Sequence, residues 1–188
     1  MALKYYNSQI DFVKNNETNF LSSNDNEVAL VVLEQTEVCY GANDSCNVQY
    51  CEDNNVPIIH QSKLQGGGCI VGVKGNIFIN AKAKTDVCLS DKFSKALCQF
   101  LKNKGFTSVR EDNNDVLVDG YKVASGCETS ENGWQYMGYQ ISLYQDIELI
   151  RNVCTKPMVK VPKALSEYGI TTEEMKQFCI DYWTNFGK

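Results

Sequence analysis

Two stretches of this 188-residue chain combine residue types that can handle negative charge. The first runs Gln65-Gly66-Gly67-Gly68-Cys69-Ile70-Val71-Gly72-Val73-Lys74-Gly75-Asn76. Three consecutive glycines carry no Cβ, so a ligand can approach the main chain closely. Their N–H groups can turn toward phosphate or carboxylate oxygens, and Lys63 supplies a positive charge just upstream. The second stretch runs Asn114-Asp115-Val116-Leu117-Val118-Asp119-Gly120-Tyr121-Lys122-Val123-Ala124-Ser125. Asp-Gly between two β-rich runs is a strong hairpin signal, and it sets Lys122 on a strand just past the turn. A fixed lysine with apolar neighbours beside a glycine-lined pocket can neutralise charge on phosphate and carbonyl oxygens. Each stretch also has a plainer reading. A glycine run is equally a flexible turn, and an Asp-Gly hairpin equally a surface feature with a solvated lysine.

The elements that must position these residues follow from the apolar patterning. Val28–Leu33 is a short, Val-rich apolar run of buried-strand type, and a second strand covers Thr36–Tyr40. Cys46–Asn54 suits a short helix, and Val56–His60 another strand, with Pro57 near its start where a missing N–H costs least. Strands are expected at Cys69–Val71 and Gly75–Asn80, on the far side of the glycines. Asp91–Lys104 places Phe93, Ala96, Leu97, Phe100 and Leu101 at helical spacing, with Ser90 or Asp91 as cap and Gly105 after the end. Tyr136–Leu143 reads as a strand and Asp146–Val153 as a short helix ended before Pro157. Thr171 or Thr172 with Glu174 opens a last helix, to Trp183, in a capping-box pattern. The sum is a mixed α+β chain whose strands come mostly in hairpins.

Composition narrows the chemistry. His60 is the lone histidine, which disfavours Ser–His–Asp triads and multi-histidine metal sites. Nine cysteines, an odd number without a Cys-x-x-Cys pair, argue against a zinc cluster or redox dithiol and read as small apolar packing residues. With a net charge of −5 and no basic stripe, no nucleic acid is expected as a partner. Apolar runs of strand length imply no membrane span. The first residues do not follow the pattern of a secretory leader, so a cytoplasmic location is expected.

Taken together and in order, the two stretches resemble those of lipoate–protein ligases, in the biotin/lipoate A/B protein ligase family. There a Gly-Gly-Gly-x-Val segment followed by Gly-Asn precedes Asn-Asp-x-x-Val-x-Gly-x-Lys-(Ile/Val). Here Gly66, Gly67, Gly68, Ile70, Gly75 and Asn76 match the first, and Asn114, Asp115, Val118, Gly120, Lys122 and Val123 the second. The resemblance runs from about Val28 to Ile150. It implies an α+β fold of the class II aminoacyl-tRNA synthetase/biotin ligase-like kind, a catalytic domain with a mixed, mostly antiparallel sheet flanked by helices. Residues 1–188 would form one such domain, with its core at about 28–150 and a short helical extension at 154–188. The implied reaction joins lipoate or octanoate to ATP as an acyl-adenylate, then passes the acyl group to a lysine of a lipoyl-carrier domain protein. By the same resemblance Gly66, Gly67 and Gly68 cradle the acyl-adenylate, while Asn76, Asn114 and Asp115 lie near the nucleotide or its Mg ion. Asp115 is the candidate Mg ligand, and Lys122 contacts the acyl carbonyl and the phosphate.

The chain departs from that pattern in several places. The two arginines usual before the glycines are replaced by His60-Gln61-Ser62-Lys63-Leu64-Gln65, where Lys63 is the substitute for one of them. The His-Asp pair after the glycines is Gly72-Val73, and the Ser-Gly after the lysine is Ala124-Ser125. No counterpart of the N-terminal helix is evident before Val28. The short stretch after Cys154 suggests a compact form without the accessory C-terminal domain, for which a separate accessory-domain chain is the partner to expect. Lys122-Val123-Ala124-Ser125 also matches the segment of octanoyltransferases of the same fold, which work through a cysteine thioester without ATP. Biotin ligases stand second among the ligase readings, and a non-catalytic relative that binds a metabolite or a protein partner is the third reading, from another class.

Overall fold

The computed structural model describes residues 1–41, 46–60, 68–110, 114–156 and 158–187. Along the chain run β1 (Ala2–Tyr6), α1 (Gln9–Asn15), α2 (Glu17–Ser22), β2 (Glu27–Val32), β3 (Glu37–Tyr40), α3 (Val48–Asp53), β4 (Ile58–His60), β5 (Cys69–Gly72) and β6 (Ile77–Lys84). Then follow α4 (Leu89–Asn103), β7 (Ser108–Arg110), β8 (Val116–Val118), β9 (Tyr121–Glu131), β10 (Trp134–Ile141), α5 (Ile147–Val153), a 3₁₀ turn at Leu165–Tyr168 and α6 (Thr172–Asn185).

Alternation along β2 and β6 builds two cores on the two faces of one seven-stranded sheet, ordered β1-β2-β6-β10-β9-β8-β7. Val28, Leu30, Ile77, Ile79 and Ala81 turn to one face, against α4 and α6. Ala29, Val31 and Phe78 turn to the other, against Phe12 of α1 and Phe20 of α2. Only β1–β2 is parallel in this sheet; its other pairings are antiparallel. A smaller sheet, β4-β3-β5, packs with α3 and α5 around Val38, Cys51, Val71, Leu149 and Val153. The mixed, mostly antiparallel sheet flanked by helices is therefore present.

Turn chemistry sets the hairpins that matter. Asp119-Gly120 and Asn132-Gly133 both take positive φ, at 52° and 83° and at 52° and 78°. This is the geometry that joins antiparallel strands with a two-residue loop, and glycine adopts it without strain. Asn132-Gly133 closes β9 onto β10, making β9 longer than the apolar run alone suggests.

Two expectations need correction. The segment before Val28 does contain helices, α1 and α2, preceded by the edge strand β1. They run only seven and six residues, too short for periodicity over 11–18 residues to reveal them. The cap of α4 is Cys88, whose sulfur accepts from Asp91 N at 3.4 Å, rather than Ser90 or Asp91. Glu128 of β9 reinforces it from outside the helix, accepting the N–H groups of Leu89 and Ser90 at 2.8 Å each. A carboxylate there satisfies orphan donors and complements the helix dipole. The helix itself buries Leu89, Phe93, Leu97 and Leu101 in one stripe.

Buried polar groups on the α1–α2 face are all partnered. Lys82 of β6 is fully buried and donates to the carbonyls of Phe20, at 2.7 Å, and Ser23, and to Ser23 Oγ at 2.9 Å, closing the end of α2. Glu37 of β3 accepts from Ser8 Oγ at 2.8 Å and Gln9 N at 2.5 Å at the start of α1. Burial holds the Glu37 carboxyl above the ordinary carboxylate range despite these donors.

Candidate active site

A cavity of about 440 Å³ opens where the smaller sheet meets β9 and β10. One wall is Gly68 and the Cys69-Ile70-Val71 run of β5. The opposite wall is Lys122, Ala124 and Ser125 of β9 with Gln140 of β10. The rim is the segment after α5, through Cys154, Lys156, Met158, Val159, Lys160 and Pro162. The volume suits one small, mostly apolar ligand with a few polar anchors.

Strand alternation explains why Lys122 is here. Val123 points into the large core while its neighbour Lys122 faces the cavity. The main chain of Lys122 is fixed on the side that β10 no longer covers. Its N–H donates to Val161 O, and its carbonyl accepts from Lys163 N, both at 3.0 Å. Among the described residues the Lys122 ammonium has no hydrogen bond or ion pair. Pro162 lacks an N–H and lies opposite Lys122 in this short bridge, a placement proline tolerates at an edge.

Asp115 lines the same cavity and is 3% exposed. Lys160 donates to its Oδ2 at 2.7 Å. Gln140 donates Nε2 to Val71 O at 3.0 Å, tying the two sheets together at the cavity floor. Lys163 sits outside, its ammonium 4.4 Å from the Tyr168 ring centroid and 5.2 Å from that of Tyr121.

The residues singled out from the sequence thus divide into three groups. Lys122, Asp115 and Gly68 come together in one cavity. Asn114 and Asn76 lie outside its lining. Asn114 takes φ +64°, donates to Ser90 Oγ at 2.8 Å and lends its carbonyl to Tyr139 Oη at 2.8 Å, so it sets the turn into β8. Asn76 is fully buried and its Oδ1 accepts from Leu143 N at 2.9 Å and Tyr144 N at 2.8 Å. Lys63, Gly66 and Gly67 fall outside the described residues.

Sequence reasoning missed Lys156 and Lys160. The signal was Thr155-Lys156-Pro157-Met158-Val159-Lys160-Val161-Pro162-Lys163: two prolines forbid a helix, and three lysines stand without an acid. Asp115 is the one carboxylate in the lining among the described residues, and no group of three or more potential metal ligands gathers among them. The arrangement can hold an apolar chain against β5 and neutralise oxyanions with Lys122 and Lys156.

Comparison with known proteins agrees with this reading of the fold. The family model described as "Lipoyl protein ligase A/B catalytic domain" matches residues 15–183. A lipoate–protein ligase of Streptococcus pyogenes is 24% identical over 154 residues, 71% of this chain and 45% of that protein. The lipoate-protein ligase LplJ of Bacillus subtilis is 25% identical over 111 residues, 55% of this chain and 33% of that protein. The matches therefore span less than half the length of these curated relatives. Among solved structures, Ta0514 of Thermoplasma acidophilum with bound lipoic acid superposes with a TM-score of 0.77 at 12% identity, over 96% of this chain and 83% of that one. Lipoate-protein ligase A bound with ATP gives 0.75 at 13%, over 96% and 83%. A bi-partite lipoate protein ligase from the same archaeon, described with its E2 lipoyl domain, gives 0.75 at 11%, over 96% and 82%. At such identities the structural likeness speaks for the fold alone.

Proposed function

We propose, because this chain belongs to the family of lipoyl protein ligase A/B catalytic domains, that it is the catalytic part of a lipoate–protein ligase. It takes lipoate or octanoate and ATP, forms the acyl-adenylate, and passes the acyl group to a lysine of a lipoyl-carrier domain. The observation that carries this reading is that Lys122 lines a cavity of about 440 Å³ whose lining also includes Gly68 and Asp115.

The aliphatic part of the acid lies along Ile70, Val71 and Ile150. Lys122 holds the attacking carboxylate beside the α-phosphate oxygens that gain charge in adenylation, and later the acyl carbonyl oxygen that gains charge in transfer, lowering both barriers. Gly68 contributes to the cradle for the phosphate, and Lys63, Gly66 and Gly67 are assigned to it by the sequence resemblance alone. The residues present fit a nucleotide that brings Mg with it. Mg ordinarily keeps several waters and is held by one or two carboxylates plus substrate phosphates, and Asp115 supplies one. The magnesium nucleotide contributes the adenylyl group and pyrophosphate as leaving group. Asp115, which accepts from Lys160 in this structure, would be the residue to hold such a cation, and Lys156 and Lys160 would neutralise phosphate oxygens beside it. Residues 1–188 are one catalytic domain in this reading, working in the cytoplasm. No helix among the described residues is long and apolar enough to cross a membrane.

The test is pyrophosphate release from ATP and magnesium with lipoate, octanoate or biotin in turn, alongside Lys122→Ala. Release with one acid, reduced about 10²–10³-fold in a variant that melts normally, is the expected result. Release that persists in Lys122→Ala, or no release with any acid, defeats the adenylation reading. Transfer from an acyl thioester without ATP would replace it with cysteine chemistry, for which Cys69 and Cys154 stand in the cavity lining.

A further inference from the structure

Four of the nine cysteines, Cys39, Cys51, Cys98 and Cys179, are buried packing residues, as small apolar side chains should be. Cys46 and Cys154 are different. They face each other across an isolated antiparallel bridge, and neither is deeply buried. Asn47 donates its N–H to Val153 O at 2.9 Å, so the hydrogen bond runs between their neighbours. The two cysteines are thus a non-hydrogen-bonded pair, the closer of the two antiparallel arrangements, with Cα atoms about 4.5 Å apart and side chains on one face. That separation lies inside the roughly 4.4–6.8 Å window of disulfides.

We propose that Cys46 and Cys154 form a reversible disulfide. The bond staples the start of α3, whose cap is Asn47, to the end of α5, and fixes the first residue of the segment that rims the cavity. The oxidant is a hydroperoxide. One thiolate attacks its O–O bond and becomes a sulfenic acid, releasing water when the oxidant is hydrogen peroxide. The second thiolate then attacks the sulfenic sulfur, forming the S–S bond and releasing a second water. Two thiols and one peroxide give one disulfide and two waters, and an external dithiol reverses the step. This inference does not depend on the proposed acyl chemistry.

The experiment treats the full chain with stoichiometric hydrogen peroxide, blocks remaining thiols, and digests it unreduced. Chymotrypsin cleavage after Tyr50 separates Cys46 from Cys51, so mass spectrometry can tell the pairings apart. A Cys46–Cys154 linkage that dithiothreitol removes is expected, with two free thiols lost per chain. Closing so long a loop should raise the melting temperature by on the order of 10 °C. Cys46→Ser and Cys154→Ser should each abolish both the linkage and the shift. A dominant Cys51–Cys154, Cys69–Cys154 or intermolecular linkage, or retention of all free thiols, overturns the proposal.

Discussion

Lys160 donates to the Asp115 carboxylate at 2.7 Å and so closes the cavity rim onto the strand hairpin that carries Lys122. The carboxylate side chain is 4% exposed and the lysine 26%, which makes the pair unequal. Removing Lys160 takes a cation from a nearly buried carboxylate, whereas removing the charge on both sides leaves less to satisfy. Lys160→Met should therefore cost about 1–3 kcal/mol, and Asp115→Asn in the same background should return part of it. Urea denaturation of the two single variants and the double variant gives the coupling energy. Strictly additive effects would mean that the contact contributes nothing.

Gly126 and Tyr139 are direct cross-strand partners in β9 and β10. A Cβ at Gly126 would come within 2.1 Å of Tyr139 Cδ2. The ring has no room to yield, being 1% exposed and edge-on to Phe93 at 5.0 Å. Gly126→Ala should destabilise by about 1–3 kcal/mol, the usual cost of overpacking. It should also disturb the site, because Tyr139 Oη holds the Asn114 carbonyl at 2.8 Å and Asp115 is next in the chain. Tyr139→Phe isolates that second effect: about 1 kcal/mol in stability, with a measurable change in binding of the acid. Calorimetry with lipoate on both variants separates the two contributions.

How much of this was legible beforehand differs by element. The Lys122 hairpin was readable because Asp119-Gly120 demands positive φ and flanks two β-rich runs. Helix α6 was readable because Thr171 and Glu174 form a capping box, observed here with Glu174 N donating to Thr171 Oγ1 at 3.2 Å. The cavity was not readable. Asp115 and Lys160 are 45 residues apart, and nothing in either segment names the other. Helices α1 and α2 were hidden by their shortness, and Glu128 caps α4 from a strand 38 to 40 residues away. Tertiary partners of polar side chains lie beyond the reach of periodicity, which records only which face is apolar.

Asn76 illustrates the same limit. The resemblance to lipoate–protein ligases puts it near the nucleotide, while its carbonyl oxygen here accepts from the N–H groups of Leu143 and Tyr144 just past β10. Its Nδ2 is buried without a partner among the described residues. Asn76→Ala should orphan two backbone donors and cost about 2–4 kcal/mol. In the protein that remains folded at low temperature, affinity for ATP should change less than twofold. Equilibrium dialysis with nucleotide at 10 °C checks this; a tenfold loss of affinity with unchanged stability would place Asn76 in contact with the ligand.

Glu174 offers a titration that reports on the docking of α6. Its carboxylate accepts from Lys104 Nζ at 2.7 Å, from Thr171 N at 3.1 Å and from Thr171 Oγ1 at 3.2 Å. The Lys104 hydrogen bond first, and the Thr171 donors after it, hold its pKa down to about 2. A carboxyl whose folded pKa lies below its unfolded value stabilises the folded chain above the unfolded pKa, and loses that contribution as pH falls. The window therefore runs from about 4.5 down to about 2. The side chain of Glu174 is 40% exposed, so salt screens the pair and the effect on melting should shrink in 1 M salt. Carboxyl NMR should show Glu174 titrating well below the other glutamates, and Lys104→Gln should move its midpoint upward by removing the largest cause. Thr171→Val should move it less. If Glu174 titrates near 4.5 in the wild type, the pairing of α6 with Lys104 at the end of α4 does not persist in solution.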